Sequence, residues 1–179
     1  MIPHLETERL LLREYRPADF EPFAAILGDA EVARYLPGGK AMNRMDAWRF
    51  VAASIGAWTL LGFGTWVVER KSDCAVMGRI GLIRPDGWPG LEVGWTLGRP
   101  YWGRGYATEA AKASLRYAFL TQNVDEVIST IHPGNTASQG VAKKIGESLK
   151  QRTEIMVGSV PYTCDIWAIA RAEWLRRAA

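Results

Sequence analysis

The hydrophobic pattern changes its period twice along the chain, and this change constrains the fold more than any other feature of the sequence. Apolar residues recur every three or four positions over 46–61 and again from Arg104 onward, which is the spacing of an amphipathic helix. Between these segments lie three strand-like runs separated by turn residues, at 64–71, 76–84 and 91–97. Three consecutive runs of this kind predict an antiparallel meander. We therefore expect helices to pack on a sheet.

Shorter patterns before and after the meander predict the remaining elements. Residues 5–15 alternate as a first strand, and a helix is expected after Asp19. In the helix over 46–61, the predicted buried side consists of Trp48, Val51, Ala52, Ile55 and Trp58. The second half is predicted to run helix, strand, helix, strand, strand, over 104–118, 124–131, 136–145, 154–157 and 162–170. This order predicts the α+β (mixed α/β) class, with residues 1–179 in a single domain.

The composition is that of an ordinary globular protein, and it narrows the classes of partner. The 22 Lys and Arg exceed the 19 Asp and Glu by only 3, and no segment interleaves basic with aromatic residues, so we expect no nucleic-acid partner. The two cysteines and two histidines stand far apart. This spacing predicts neither a metal site nor a disulfide framework, and it favours a cytoplasmic location. No apolar run is long enough to span a bilayer, so we expect a soluble protein with no membrane partner.

The segment 97–110 carries the clearest chemical signal. A predicted strand ends there, a glycine-rich turn follows, and an amphipathic helix begins at once. The first turn of a helix has backbone N–H groups without intrahelical partners, and Gly103 and Gly105 lack the Cβ atoms that would keep an anion away from them. Such a turn predicts a phosphate site. The alternative is a turn that needs glycine only to pack a helix against a sheet, and no segment matches a Walker loop or a full dinucleotide fingerprint.

Three segments resemble the GNAT superfamily of acetyltransferases, in the order that the family has them. Residues 102–110 resemble its pyrophosphate loop for acetyl-coenzyme A (acetyl-CoA), with Gly105 and Ala107 in the last two places of the motif. Trp102 stands where Gln or Arg is usual, which is typical of the branch similar to ribosomal-protein N-terminal alanine acetyltransferases. Residues 5–13 resemble the opening strand of that branch, and 133–146 resemble its helix that begins with Asn.

The resemblance implies a GNAT-type fold with a splayed, mostly antiparallel mixed sheet, and it implies how acetyl-CoA would bind as co-substrate without a metal. Backbone amides of 103–108 would hold the pyrophosphate, and Leu97 would pair with the pantetheine arm. Asn135 would hydrogen-bond that arm and Ser138 would lie near the thiol, although both residues also suit the start of a helix. The cofactor-binding residues implied are Leu97, Trp102, Gly103, Arg104, Gly105, Tyr106, Ala107, Thr108, Asn135 and Ser138.

The reaction implied is transfer of an acetyl group to a primary amine, for which a protein N-terminus is one candidate. Neither cysteine has the surroundings of a nucleophile, so we expect direct attack by the amine in a ternary complex. Glu92 is the expected base, because alternation along 91–97 places it opposite the apolar face; the alternative is a solvated strand carboxylate. Many superfamily members use a Tyr as the acid at the position that Ala142 holds here, so Ser138 is the expected substitute.

Other interpretations remain open at this point. The acceptor could be a small amine such as a polyamine, an amino acid or an antibiotic, bound between the loops 37–40 and 86–89 with Trp58 and Trp88 as walls. A coenzyme A-binding sensor without catalytic activity is a further alternative. A homodimer is conceivable through an edge supplied by 162–167. Glu147 stands where the family usually has Phe, which leaves the packing of that helix end undetermined.

Overall fold

One mixed sheet organises the chain in the computed structural model, which describes residues 2–178. Its eight strands are β1 (Leu5–Glu6), β2 (Leu10–Arg13), β3 (Thr65–Arg70), β4 (Val76–Ile83), β5 (Glu92–Leu97), β6 (Glu126–Ile131), β7 (Ser148–Val157) and β8 (Val160–Ala170). The six α-helices of this part of the chain are α1 (Phe20–Leu27), α2 (Ala30–Ala33), α3 (Arg44–Leu61), α4 (Tyr106–Thr121), α5 (Thr136–Ile145) and α6 (Arg171–Ala178). The strands lie in the order β1-β2-β3-β4-β5-β6-β8-β7. The predicted α+β class and the predicted meander, β3 to β5, are confirmed.

The sheet opens between β5 and β6, its only parallel neighbours in residues 2–178. These two strands share a single residue pair, Glu92 with Ile128. On its other side, every residue of β5 pairs with a residue of β4. The Ile128 amide donates to the carbonyl of Leu91 at 2.9 Å. Since backbone groups alternate in direction along a strand, Trp95 and Leu97 turn their N–H and C=O groups toward the opening. The splay implied by the family resemblance is therefore present.

Helices cover both faces of the sheet, because each face carries a row of apolar side chains that must be removed from water. Helix α4 packs on one face, where Ala111 and Leu115 join the core that includes Ile80 and Val93. Helices α1 and α3 pack on the other face over a smaller core that includes Phe23, Leu27, Ala47 and Val67. No helix in the described part of the chain is both long and apolar enough to cross a membrane.

The predicted buried side of the helix over 46–61 is correct only in part. In α3, Trp58 is buried as predicted, but Trp48 is 57% exposed and Ile55 is 44% exposed, while Ala47 and Ser54 are buried. Val51 and Ala52 are half-buried, so the stripe that faces the protein is rotated by about one residue at the positions of Trp48 and Ile55. Small side chains allow α3 to approach the sheet closely, and a count of large apolar residues does not detect such a face.

Both ends of the chain differ from the predicted elements. The first predicted strand is instead a hairpin of β1 and β2. The turn between them is closed by the Thr7 amide, which donates to the Leu10 carbonyl at 3.0 Å. Strand β7 begins at Ser148, earlier than predicted. The prediction was too short because both faces of this strand are largely exposed and carry no apolar alternation. The segment 162–167, considered as an edge for a homodimer, is not a free edge: all of it pairs with β7, and Asp165, Ile166 and Trp167 also pair with β6. Helix α6 was not predicted.

Candidate active site

A groove of about 590 Å³ follows the open side of β5, from the start of α4 to the start of α5. It lies where the sheet splays, so its floor consists of backbone groups that no neighbouring strand pairs. Nine of the ten predicted cofactor residues line it: Leu97, Trp102, Gly103, Gly105, Tyr106, Ala107, Thr108, Asn135 and Ser138. The tenth, Arg104, has an exposed side chain outside this lining. The topology thus brings together residues that lie up to 41 positions apart in the sequence.

The turn before α4 exposes the first N–H groups of that helix. Gly105 occupies the N-cap with φ +80°, and its lack of a side chain leaves the helix without a side-chain cap. Gly103 also has a left-handed φ of +72°, a conformation that favours glycine. A Cβ at Gly103 would meet nothing within 4 Å, so the backbone conformation, not crowding, requires glycine there. Uncapped N–H groups and the helix dipole together form a site for an anion.

The β1–β2 turn holds this loop in place, a contact that the sequence analysis missed. The carboxylate of Glu109, in the first turn of α4, accepts from the Thr7 hydroxyl at 2.6 Å and from the Arg9 amide at 2.9 Å. The Arg9 guanidinium donates to Glu109 at 2.7 Å and to the Arg104 carbonyl at 3.0 Å, and it lies over the ring of Tyr106. The segment 5–13, noted only for its family resemblance, therefore fixes the glycine-rich turn before α4.

Trp102 connects the same turn to the end of β5. Its indole Nε1 donates to the Leu97 carbonyl at 2.7 Å. The carbonyl of Leu97 is therefore already engaged, and the backbone groups that remain for a ligand on this side are the Leu97 N–H and both groups of Trp95. The aromatic residue in the place of the usual Gln or Arg thus has a structural role.

The start of α5 presents polar side chains to the groove. Asn135 is the N-cap of α5, and its Oδ1 accepts from the Ser138 amide at 3.1 Å. The capping alternative is therefore realised, but it uses only the oxygen of the Asn135 amide, and the NH₂ group donates to none of the described residues. The Ser138 hydroxyl accepts from the Trp95 indole at 3.2 Å, so its own proton is available to a ligand.

A second, larger cavity of about 820 Å³ lies on the α3 side of the sheet. The cavity and the groove lie side by side and share six lining residues: Tyr35, Leu36, Trp95, Thr96, Asn135 and Ser138. Of the residues expected to surround an acceptor, Pro37, Asp86 and Trp88 line this cavity. Trp58 does not, because it is buried in the core and donates to the Thr65 carbonyl.

Glu92 points into the large cavity on the face of β5 that also carries Gly94 and Thr96. Its Oε2 accepts from Trp88 Nε1 at 2.6 Å and from Thr130 Oγ1 at 2.9 Å, and it is 6% exposed. Its Oε1 accepts no hydrogen bond from residues 2–178. A Cβ at Gly94 would lie 3.1 Å from Oε1, so glycine keeps that oxygen accessible. Burial raises the pKa of Glu92, and the bonds from Trp88 and Thr130 oppose this shift.

A second carboxylate, Glu147, is buried directly beneath the point where β5 and β6 separate. Ser129 lies between Glu147 Oε1, at 3.0 Å, and the Val93 carbonyl, at 2.7 Å. Glu147 Oε2 has no partner among the described residues. Burial raises the pKa of Glu147 to about 8, and the nearby Glu92 adds to this rise. A protonated Glu147 can donate to Ser129 Oγ, which then donates to Val93.

Two aromatic residues near the junction were not singled out in the sequence. Tyr35 lines both spaces, and its ring packs on His132 with centroids 5.2 Å apart. His132 Nδ1 accepts from the Gly134 amide at 3.0 Å, which places the proton of the neutral ring on Nε2. The Tyr35 carbonyl accepts from the Tyr162 hydroxyl at 3.1 Å. These residues come from three distant segments, so no local pattern could have identified them together.

Several sequence relatives of the chain are named as N-acetyltransferases. A family model described as the acetyltransferase (GNAT) domain matches residues 9–147. The chain is 33% identical over 176 residues to the uncharacterized N-acetyltransferase YnaD of Bacillus subtilis (strain 168), a match that covers 96% of this chain and 99% of that protein.

Solved structures agree with this relationship. An acetyltransferase from Agrobacterium tumefaciens str. C58 superposes with a TM-score of 0.81 at 29% identity, covering 94% of this chain and 95% of that chain. RimL, a ribosomal L7/L12 alpha-N-protein acetyltransferase solved in complex with coenzyme A, shares the fold with a TM-score of 0.75 at 13% identity, covering 94% of this chain and 98% of its own. The chain therefore belongs to the GNAT family of N-acetyltransferases, which use acetyl-CoA as co-substrate.

Proposed function

We propose that the protein transfers an acetyl group from acetyl-CoA to a primary amine held in the large cavity. The observation that carries this proposal is the adjacency of two spaces with complementary chemistry. An uncapped helix N-terminus and an unpaired strand edge line the groove, a buried carboxylate lines the large cavity, and the two spaces share six lining residues. Each of these features suits one part of the two substrates.

The residues of the groove fit the cofactor. The N–H groups of 103–108 would hold its diphosphate, and the free backbone groups of Trp95 and Leu97 would pair with its pantetheine arm. The unused NH₂ group of Asn135 is placed to donate to the same arm. Acetyl-CoA supplies an acyl carbonyl that is activated as a thioester. A protein of this fold has been solved in complex with coenzyme A, which supports the assignment.

The chain supplies a base and a hydrogen-bond donor at the junction of the two spaces. Glu92 accepts a proton from the incoming ammonium group at Oε1, directly or through a water, so that the neutral amine attacks. Burial raises the pKa of Glu92 and so brings it closer to the pKa of the amine, which favours this proton transfer. The Ser138 hydroxyl, oriented by Trp95, donates a hydrogen bond to the departing sulfur. It takes the place of the tyrosine that is absent at Ala142.

The dimensions of the large cavity favour a small amine as acceptor. Its volume of about 820 Å³ lies in the range of sites for small molecules, roughly 300–1,000 Å³. A protein N-terminus is the second candidate. It is favoured by the resemblance of 5–13 and 102–110 to the ribosomal-protein acetyltransferase branch, and a ribosomal-protein-S5-alanine acetyltransferase from Vibrio fischeri shares the fold at 16% identity.

A free-thiol release assay tests the proposal. The protein is incubated with acetyl-CoA and a panel of amino acids, polyamines, aminoglycosides and peptides that begin with Ala or Ser. We expect thiol release that depends on one class of amine. If the protein binds acetyl-CoA and releases no thiol with any amine, it is a sensor and the proposal is wrong.

A further inference from the structure

Arg79 is a cation without a partner in the wall of the large cavity. It lies on β4, directly opposite Thr96 of β5, on the same face of the sheet as Glu92. Its guanidinium makes no hydrogen bond and no ion pair with any residue from 2 to 178, and its Nε is inaccessible to solvent. Because arginine stays charged in proteins, a guanidinium in this position is costly unless something else compensates it.

A comparison with Arg13 shows how this fold treats a buried arginine elsewhere. Arg13 is 3% exposed, and it forms ion pairs with Asp19 at 2.8 Å and with Glu69 at 2.7 Å. At Arg79 the protein supplies no carboxylate within 4 Å among the described residues. The charge of Glu92 acts on Arg79 from a distance, but the Glu92 carboxylate is hydrogen-bonded to Trp88 and Thr130 instead. Arg79 therefore lacks the direct ion pair that Arg13 has.

The surroundings of Arg79 leave its hydrogen-bonding edge unused. The guanidinium carbon lies 4.3 Å from the centroid of the Phe50 ring, so an aromatic face supports the flat side of the cation. Stacking of this kind uses none of the N–H donors, which lie in the plane of the group. A planar anion that accepts two parallel hydrogen bonds fits such an edge.

We propose that the acceptor carries a carboxylate, which pairs with Arg79 while its amine lies beside Glu92. This inference rests on the proposed function for the position of the amine. The only other cationic side chain around the cavity within residues 2–178 is Arg84, which is exposed. One half-buried guanidinium matches the single charge of a carboxylate better than a doubly charged phosphate.

The rest of the cavity defines the body of this acceptor. Glu92 and Arg79 place a negative and a positive group on one face of the sheet, and the surface between and around them is largely apolar, with Ile83 and Trp88 among its residues. Thr96, which lies opposite Arg79, is four residues from Glu92, so the two backbone positions are about 13 Å apart along the strand. The side chains of Arg79 and Glu92 are both long, so their charged groups can lie closer together than their backbones. The acceptor class is therefore a zwitterionic amino acid or a close analogue with an apolar body.

The test measures binding, and it does not require acetyl transfer. Isothermal titration calorimetry compares 3-phenylpropanoate with its neutral amide on the wild type and on Arg79→Met, which keeps the length of the side chain and removes its charge. Arg84→Met is the matched control for an arginine at the same cavity. We expect the wild type and Arg84→Met to bind the acid about tenfold more tightly than the amide, and Arg79→Met to lose this preference.

Two outcomes overturn the inference: no preference for the acid in the wild type, including no detectable binding of it, or a preference that persists in Arg79→Met. The unfolding midpoint gives an independent check. Removal of an uncompensated cation should leave Arg79→Met at least as stable as the wild type, whereas a lower midpoint would show that Arg79 has a structural partner. Because neither readout uses thiol release, failure of the proposed function and failure of this inference are distinguishable.

Discussion

At the scale of single residues, the proposed proton transfer depends on how Glu92 is held. Two hydrogen bonds fix one carboxylate oxygen, and Gly94 leaves space beside the other. This arrangement orients the free oxygen toward the cavity without neutralising the group. A base held in this way loses little entropy when the amine arrives.

Glu92→Gln is expected to lower kcat by about 10²-fold or more, because the amide keeps the shape of the side chain and cannot take a proton. Steady-state kinetics with the active amine measure the change. Glu154→Gln, an exposed carboxylate outside both cavities, is the control and should retain the wild-type rate. An unchanged kcat in Glu92→Gln across the pH range would remove this residue from the role of base.

Trp88→Phe is expected to shift the acidic limb of the kcat/KM profile to higher pH. The bond from Trp88 lowers the pKa of Glu92, so its loss raises that pKa and the carboxylate ionises later as the pH increases. We expect a clear displacement of the limb, because a hydrogen bond to a charged group is stronger than one between neutral groups and solvent hardly reaches this buried carboxylate. A limb that stays in place in both Trp88→Phe and Thr130→Val contradicts the assignment of this limb to Glu92.

At the scale of elements, the turn proposed to bind phosphate is held from outside its own helix. Arg9 and Thr7, in the β1–β2 turn, contact Glu109 and the Arg104 carbonyl. A helix N-terminus must keep its N–H groups in fixed directions to bind an anion well. The hairpin supplies that rigidity where the glycine-rich loop cannot.

Arg9→Met is expected to raise the KM for acetyl-CoA about tenfold and to leave kcat nearly unchanged, because the loop loses its support and the acceptor cavity is untouched. Arg9 is partly exposed, so the free energy of unfolding should fall by no more than about 1 kcal/mol. Arg49→Met, an exposed arginine paired with Asp46, is the control. A rise in the KM for the amine instead would place the role of Arg9 elsewhere.

The predictions from sequence succeeded where a pattern is local and failed where it is not. The meander, α4 and the end of α5 at Gly146 were predicted because hydrophobic period and glycine position determine them within one segment. The buried face of α3 was misjudged because Ala47 and Ser54 carry little apolar surface. Strand β7 was predicted too short because its exposed faces give no alternation.

At the scale of the whole molecule, two carboxylates are buried on either side of the opening in the sheet. Glu92 faces the cavity, and Glu147 lies beneath the split with one oxygen unpartnered. The sequence showed Glu147 only as a departure from the family pattern. Glu147 is hydrogen-bonded to Ser129 of β6, and Ser129 in turn donates to the Val93 carbonyl of β5. Packing between segments so far apart in the chain is not visible in any single segment.

Glu147→Gln is expected to stabilise the protein near neutral pH. Burial raises the pKa of Glu147 to about 8, so between pH 4.5 and 8 the unfolded chain releases a proton that the folded chain retains. The free energy of unfolding of the wild type therefore falls as pH rises through this window, and Gln removes that loss. Urea unfolding at pH 5, 6, 7 and 8 should show a gain of about 2 kcal/mol or more at pH 7.

The control for this comparison is Glu126→Gln, whose carboxylate is partly exposed and pairs with Lys150. Its unfolding free energy should follow the wild-type dependence on pH. If the curves of the wild type and Glu147→Gln run parallel from pH 5 to 8, Glu147 is not protonated in the folded state and the account of this buried group is incorrect.

A crystal structure of the complex with acetyl-CoA tests the central claim most directly. The account predicts diphosphate oxygens within roughly 2.7–3.2 Å of the N–H groups of 103–108, the pantetheine arm along the open edge of β5, and the thioester beside Ser138. A diphosphate bound away from this turn, with the N–H groups at the start of α4 left to solvent, would contradict it.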